Sequence, residues 1–224
     1  MEFYLTSQKF EFTADELRRL AQGTLLQEVP PSSLDFSLPS GRSDFDLNPD
    51  YHEDLSEKAM TRPAAVLIPV ISYENGARIL LTRRPKDMAS HPGQVAFPGG
   101  KVEKTDENIV AAALREAKEE VGLDPGLVDT IGYLDTYQTS SGFRITPVVG
   151  LVSSTCHLEI DRREVDEVFE VPLKYLMSEH NHQKHSRIWQ GENRAYYAMP
   201  YGDKFIWGAT AGMLKNFYDR VYRD

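Results

Sequence analysis

Three glutamates, Glu116, Glu119 and Glu120, stand within residues 114–123 (LREAKEEVGL). On a helix turning about 100° per residue they share one face within an arc of about 100°. Val110, Leu114, Ala117 and Val121 then form a separate apolar stripe able to pack on a sheet. Ala112 and Ala113, one turn earlier, leave the carboxylates uncovered. Exposed like charges at this spacing repel by a few tenths of a kcal/mol per pair. The pattern therefore reads either as a solvated acidic face or as a seat for a hard divalent cation, which wants several oxygen ligands. Arg115 can pair with Glu119 four residues on and suits both readings.

The preceding segment, Phe97-Pro98-Gly99-Gly100, favours the cation. A glycine pair after a short strand lets backbone approach a ligand and turn a carbonyl toward a metal. Residues 100–123 resemble the Nudix box: Gly, five residues, an acid, seven residues, then Arg-Glu-apolar-any-Glu-Glu-any-Gly-apolar. Residues 115–123 match its second half, with Ala117 as the apolar member. The first acid falls on Asp106 or Glu107 with one residue inserted, a position whose role in the family is mainly structural. The resemblance implies the Nudix fold, of mixed α/β (α+β) class, with a mixed β-sheet sandwiched between helices. It also implies Glu116, Glu119, Glu120 and the Gly100 carbonyl as ligands of Mg²⁺ or Mn²⁺, and Arg115, Glu119 and Glu120 in catalysis.

Upstream, residues 80–84 (LLTRR) and 91–100 (HPGQVAFPGG) are similar to the signature of the coenzyme A pyrophosphatase branch of this family. That branch implies hydrolysis of coenzyme A, with acyl-CoA as a further candidate, to 3′,5′-ADP and 4′-phosphopantetheine. Arg84, His91 and Phe97 occupy the positions expected to meet substrate. ADP-ribose, NADH and nucleoside triphosphates remain alternative substrates. A non-catalytic nucleotide sensor is the reading from another class, and such proteins tend to lose the box carboxylates that this chain keeps. Cleaving a diphosphate requires its charge to be masked and a water deprotonated. Arg84 and Arg144 are cations available for phosphate contact, Arg144 reading better as a structural ion-pair partner. His91 suits either a phosphate contact or the cap of the Pro92-Gly93 turn. Glu164 is either an additional base or a surface acid beside Arg162 and Arg163.

The elements that must position these residues follow from periodicity and breakers. Residues 13–22 form a helix with Thr13 and Glu16 as its capping box, and residues 29–50, with four prolines, form a loop or extended arm. Residues 64–72 and 78–82 are buried strands around an Asn75-Gly76 turn, and residues 95–97 a short strand. The acidic helix runs from about Glu107, capped by Thr105 or Asp106, to Val121, and Gly122 stops it. Strands follow at 130–137 and 145–153 around the Gly142 turn, with another at 165–171. A short helical piece at 173–177, a hairpin at 194–205 and a helix at 209–222 complete the chain. His180, His182 and His185 read as a solvated loop, and Trp207, Phe217 and Tyr218 as core.

The 224 residues, 41% of them hydrophobic, suffice for one full core. We divide them into an N-terminal extension, residues 1–60, and a catalytic domain, residues 61–224. The extension is expected to dock on the domain, cover the site or build a homodimer. A net charge of −9 argues against nucleic-acid binding, so a phosphate-bearing small molecule needs local arginines or a metal to reverse the field. One cysteine, Cys156, suits a reducing compartment. The longest apolar run, 64–71, is too short to span a bilayer. Residues 1–4 do not open a secretory signal and 222–224 form no address. The expectation is a cytoplasmic protein with a small-molecule substrate and no membrane partner.

Overall fold

The computed structural model describes residues 10–49, 61–88, 91–189 and 191–223. The readings made at residues 1–4 and 224, and the part of the extension at 50–60, lie outside the described residues. Helix α1 (Ala14–Thr24) begins where expected, the Thr13 hydroxyl accepting from the Glu16 N–H at 3.1 Å. The Glu16 carboxylate reaches past the cap to the N–H groups of Glu11 and Phe12. The described residues of the proline-rich arm include a 3₁₀ turn (Pro31–Ser33) and the short strand β1 (Arg42–Ser43). Strands β2 (Arg62–Ser72), β3 (Arg78–Arg83), β4 (Val95–Ala96) and β5 (Gly99–Lys101) lead into α2 (Ile109–Val121). Then come β6 (Val128–Tyr133), β7 (Tyr137–Gln138), β8 (Phe143–Ser153), β9 (Glu167–Pro172) and the single turn α3 (Leu173–Leu176). Strands β10 (Gln183–Trp189), β11 (Glu192–Tyr201) and β12 (Lys204–Trp207) precede the last helix, α4 (Ala209–Val221).

Nine strands form a mixed sheet in the order β1-β7-β8-β2-β3-β4, with β5 on β2, β6 on β8 and β9 on β3. At its centre β2 and β8 run parallel over their full lengths. Their near-continuous apolar sequences suit strands covered on both faces. Alternation along β2 sends Ala65, Leu67 and Ile71 to one side with Ala113, Ala117 and Val121 of α2. Val66, Ile68 and Val70 go to the other side with Leu17 of α1 and Leu214 and Phe217 of α4. The architecture is the expected sheet between helices. A smaller antiparallel sheet, β10-β11-β12, lies against α4.

Several expectations are corrected. Helix α2 is capped by Asn108, whose side chain accepts from Ala111 N–H at 2.9 Å. Neither Thr105 nor Asp106 does so, because the Asp106 carboxylate is engaged elsewhere in the site. The stretch 130–137 divides into β6 and β7, with a register shift next to Gly132, whose φ is +145°. The histidine segment is not a solvated loop throughout: His185 lies in β10, and His182 is partly buried. The His182 Nε2 is 2.6 Å from the Leu176 carbonyl and its ring meets Tyr218 edge-on. Burial lowers the His182 pKa, with the Leu176 carbonyl opposing. Phe217 is core, but Trp207 is only half-buried, on the outer face of the small sheet.

The N-terminal segment shares the main core. Leu17 is fully buried in the cluster that holds Phe217, and Arg144 clamps the arm by donating to the Leu38 carbonyl at 2.7 Å. Leu17→Ala is accordingly expected to cost about 2–5 kcal/mol of stability in urea titration. A cost below about 0.5 kcal/mol would identify α1 as loosely attached. Among the described residues no helix is long and apolar enough to cross a membrane.

Candidate active site

The site is assembled where β5 passes under α2. Gly99 and Gly100 make the close approach possible. A Cβ on Gly99, whose φ is +157°, would lie 2.5 Å from the Ala65 carbonyl oxygen, and one on Gly100 would lie 2.5 Å from the Glu116 carboxylate carbon. Ala112, Ala113 and Ala117 on the facing side of α2 are fully buried. The buried stripe is Ile109, Ala112, Ala113, Ala117, Glu120 and Val121, while Val110 and Leu114 are half-exposed. The helix is thus rotated from the expected stripe, and the alanines lie beneath the helix, not beside the carboxylates. Small residues explain the rotation: Ala112, Ala113 and Ala117 share their buried cluster with Ala65 of β2, and Gly100 leaves room for the Glu116 carboxylate.

That rotation separates the three glutamates. Glu120 is 4% exposed, the Glu116 side chain 15% and the Glu119 side chain 60%. Burial pushes the Glu120 carboxyl up to about 8, with the Gly99 N–H, 3.4 Å from its Oε2, pulling the other way. The neighbouring charges of Glu116 and Glu164 raise it further, and Arg84 lowers it. Burial also raises Glu116, against the pull of Arg115. Desolvated carboxyls without a full counter-charge are the cause in both cases.

Arg115 organises the rest. Its Nε and Nη2 donate to the two oxygens of Asp106 at 2.8 and 3.0 Å. Its Nη1 donates to Glu116 at 2.8 Å and to Glu119 at 3.3 Å, and Nη2 also reaches the Lys101 carbonyl at 3.1 Å. Asp106, not Glu107, is therefore the acid that answers Arg115, and Glu103 N–H holds its Oδ2 at 2.7 Å. This role was hidden in the sequence because the inserted residue left two candidates. Removing the anchor with Asp106→Ala is expected to lower turnover about 10–100-fold, the usual cost of losing an outer support. Steady-state kinetics alongside an unchanged circular dichroism spectrum checks it.

Arg84 and Glu164 join the carboxylates electrostatically. The Arg84 backbone is fixed by its N–H on the Gln94 carbonyl at 3.0 Å, while its Nε is buried without a hydrogen-bond partner. Glu164 is exposed on a loop that laps the end of α2 through Asp161 N–H on the Glu120 carbonyl. Other candidates lie apart. Phe97 is 3% exposed and packs in the α4-side core, which removes it from a direct substrate contact. His91 occupies an exposed turn at φ +54°, its carbonyl accepting from Gln94 N–H. Arg144 is buried between Leu38 and Gln138.

The donor set suits a hard cation. The α2 side chain that meets Gly100 is the Glu116 carboxylate, and an ion would relieve the burial cost that raises Glu116 and Glu120. Among the described residues no three His, Cys, Asp or Glu side chains are gathered at the spacing of a preformed metal centre. Glu116 and Glu119 are instead turned onto Arg115.

A family model for the NUDIX domain matches residues 60–195. The chain is 40% identical over 169 residues to a protein named Uncharacterized Nudix hydrolase NudL of Enterobacter sp. (strain 638), across 75% of this chain and 86% of the relative. To the NudL of Yersinia pestis (strain Pestoides F) it is 39% identical over 163 residues, across 73% and 81%. Among solved structures, the Nudix hydrolase RenU of M. smegmatis gives a TM-score of 0.42 at 23% identity, across 50% of this chain and 70% of that one. The NUDIX domain of Shewanella oneidensis NrtR, solved with ADP ribose, gives 0.38 at 17%, across 56% and 81%. The matched segment holds the glycine pair, Arg84 and all the carboxylates of α2, and with relatives at this identity and coverage the chain belongs to the Nudix hydrolase family.

Proposed function

We propose that this chain hydrolyses the diphosphate linkage of coenzyme A, with Mg²⁺ or Mn²⁺, to 3′,5′-ADP and 4′-phosphopantetheine. Nudix hydrolases generally use divalent metals. Glu116, Glu119, Glu120 and the Gly100 carbonyl would hold the ion, which when bound neutralises the diphosphate and acidifies a water. Arg84 carries the reading. It belongs to the upstream stretch that resembles the coenzyme A branch, and it brings a buried, unpartnered Nε to the carboxylate cluster. A diphosphate oxygen supplies the acceptor that this donor lacks. Arg115 acts as a positioning residue through Glu116 and Glu119. Glu164 can take the proton of the attacking water as its oxygen bonds to one phosphorus and the bridging oxygen leaves with the other. The small-molecule reaction suits the cytoplasmic placement expected from the sequence.

The test is mass spectrometry of products from coenzyme A, ADP-ribose, NADH and dATP, each with Mg²⁺, Mn²⁺ or EDTA. Metal-dependent 3′,5′-ADP and phosphopantetheine from coenzyme A alone is the expected result. Cleavage of another substrate in its place would keep the diphosphatase chemistry and remove coenzyme A. Tight nucleotide binding with no cleavage would favour a sensor.

A further inference from the structure

Arg83 and Arg84 are neighbours at the end of β3, but they act on different parts of the molecule. Ile79 and Leu81 of β3 belong to the α4-side core and Leu80 to the α2 side. Alternation therefore sends the Arg83 side chain to the α4 side. Val95, its cross-strand partner in β4, lies in that same core. Arg84 is felt electrostatically by Glu120, whereas Arg83 is paired with Asp166 and Glu167. The Arg83 Nε and Nη2 donate to Asp166 Oδ2 at 3.1 and 2.7 Å, and Nη2 lies 2.9 Å from Glu167 Oε2. The Arg83 carbonyl also accepts from the Asp166 N–H at 2.8 Å. One residue thus holds Asp166 by backbone and side chain together.

Asp166 closes the loop that carries Glu164. The other end of this loop lies on α2, where the N–H groups of Glu159 and Asp161 donate to the carbonyls of Val121 and Glu120 at 2.9 and 3.0 Å. Gly122, with φ +69°, admits that contact, since a Cβ there would lie 2.7 Å from the Glu159 nitrogen. Between the two ends the Asp161 carbonyl accepts from the N–H groups of Glu164 and Val165 at 3.0 and 2.9 Å. Val165, 1% exposed, packs in the α2-side cluster. Glu164 stays exposed, and its charge reaches both Glu116 and Glu120. Arg162 donates to the Asp166 carbonyl and Arg163 pairs with Asp161, so the loop engages its own cations. The segment is a strap from the end of α2 to the end of β3, with Glu164 two residues from the β3 anchor.

We propose that Arg83 is a positioning residue for the hydrolysis: its bonds to Asp166 hold the strap so that Glu164 stays beside the carboxylates of α2. The inference rests on the diphosphatase reading, with Glu164 as the group that takes the proton of the attacking water. A base must stand within hydrogen-bond reach of that proton, and a misplacement of about 1 Å costs on the order of 10²-fold in rate. The Arg83 and Asp166 side chains are 27% and 42% exposed, so their pair adds little to global stability. Its effect is local order, because a short exposed loop opens more readily than the core on which it rests.

Arg83→Gln tests it. The variant is expected to lose about 10- to 100-fold in kcat for coenzyme A, with KM within about twofold of wild type and an unchanged urea midpoint. Arg83→Lys keeps a cation for Asp166 and should recover most of that loss. In a Glu164→Gln background Arg83→Gln should cost nothing further, because its effect runs through Glu164. A readout without turnover comes from trypsin treatment of the metal-free proteins, with the fragments identified by mass spectrometry. Cleavage after Arg162 or Arg163 should be about tenfold faster in Arg83→Gln than in wild type, with cleavage elsewhere unchanged. Wild-type kcat in Arg83→Gln or in Glu164→Gln, a full further loss in the double variant, or equal cleavage of the loop would overturn the role and leave hydrolysis standing. The same kcat pattern on ADP-ribose, with coenzyme A uncleaved, would support the role and overturn the substrate. A wild type that cleaves no diphosphate would overturn the hydrolase reading and the role together.

Discussion

Glu120→Gln is expected to leave a folded protein whose turnover is lower by on the order of 10³-fold. The substitution keeps the shape of a side chain that is 4% exposed, so the loss reports charge and ligand chemistry, not packing. A second consequence concerns stability without metal. The folded chain holds the Glu120 proton up to about pH 8, against an ordinary value of 4.5. Between those two values the folded state binds more protons than the unfolded state. Stability of the EDTA-treated wild type therefore falls as pH rises through this window, by up to about 4 kcal/mol from this group. Glutamine cannot ionise, so the variant should lose that part of the slope and be more stable than wild type at pH 8 in EDTA. Urea titrations of both proteins at pH 5 and pH 8 decide it. Equal pH slopes would mean that Glu120 is ionised in the metal-free fold, and wild-type turnover in the variant would remove Glu120 from the site.

The chemistry of this site was legible because its residues lie close together in the chain. Gly100 to Gly122 holds one backbone approach, one helix and its stop, and helical periodicity relates Glu116, Glu119 and Glu120 without tertiary information. Periodicity gives angles between residues on one helix but not the rotation of that helix against its sheet. The burial of Ala112, Ala113 and Ala117 in one cluster with Ala65 and Leu67 of β2 sets that rotation, and it sends Glu120 inward. The same limit explains Phe97, whose apolar ring fits a substrate wall or a core equally well until the α4-side cluster is assembled. Strand β10 was hidden because its residues are polar. Its place depends on pairing with β11, and the neighbouring His182 is settled by Tyr218, 36 positions away in the chain. Trp207 was read as core from its apolar flanks, but strand alternation turns Ile206 inward and leaves Trp207 outside.

The two adjacent glycines of β5 should fail in different ways when each receives a methyl group. In Gly99→Ala the new Cβ would sit 2.5 Å from the Ala65 carbonyl and 2.6 Å from the Val66 Cα, both backbone atoms of the central strand. Neither can rotate away, and a φ of +157° disfavours any side chain. Overpacking and backbone strain together should cost about 3 kcal/mol or more, read as a lowered urea midpoint. In Gly100→Ala the atoms met are the Glu116 carboxylate carbon and its two oxygens, at 2.5 to 2.6 Å. They end a flexible side chain, so the carboxylate can swing aside and stability should change by less than about 1 kcal/mol. Glu116 then leaves the position set by Arg115, and a displacement of about 1 Å at a reacting centre costs on the order of 10²-fold in rate. Gly100→Ala is thus expected to be stable and nearly inactive, and Gly99→Ala to be unstable. A stable Gly100→Ala with wild-type turnover would show that the Glu116 carboxylate does not act from where it stands against β5. A marginal cost for Gly99→Ala would show that β5 can lift from β2, and the close backbone approach that buries Glu120 would lose its support.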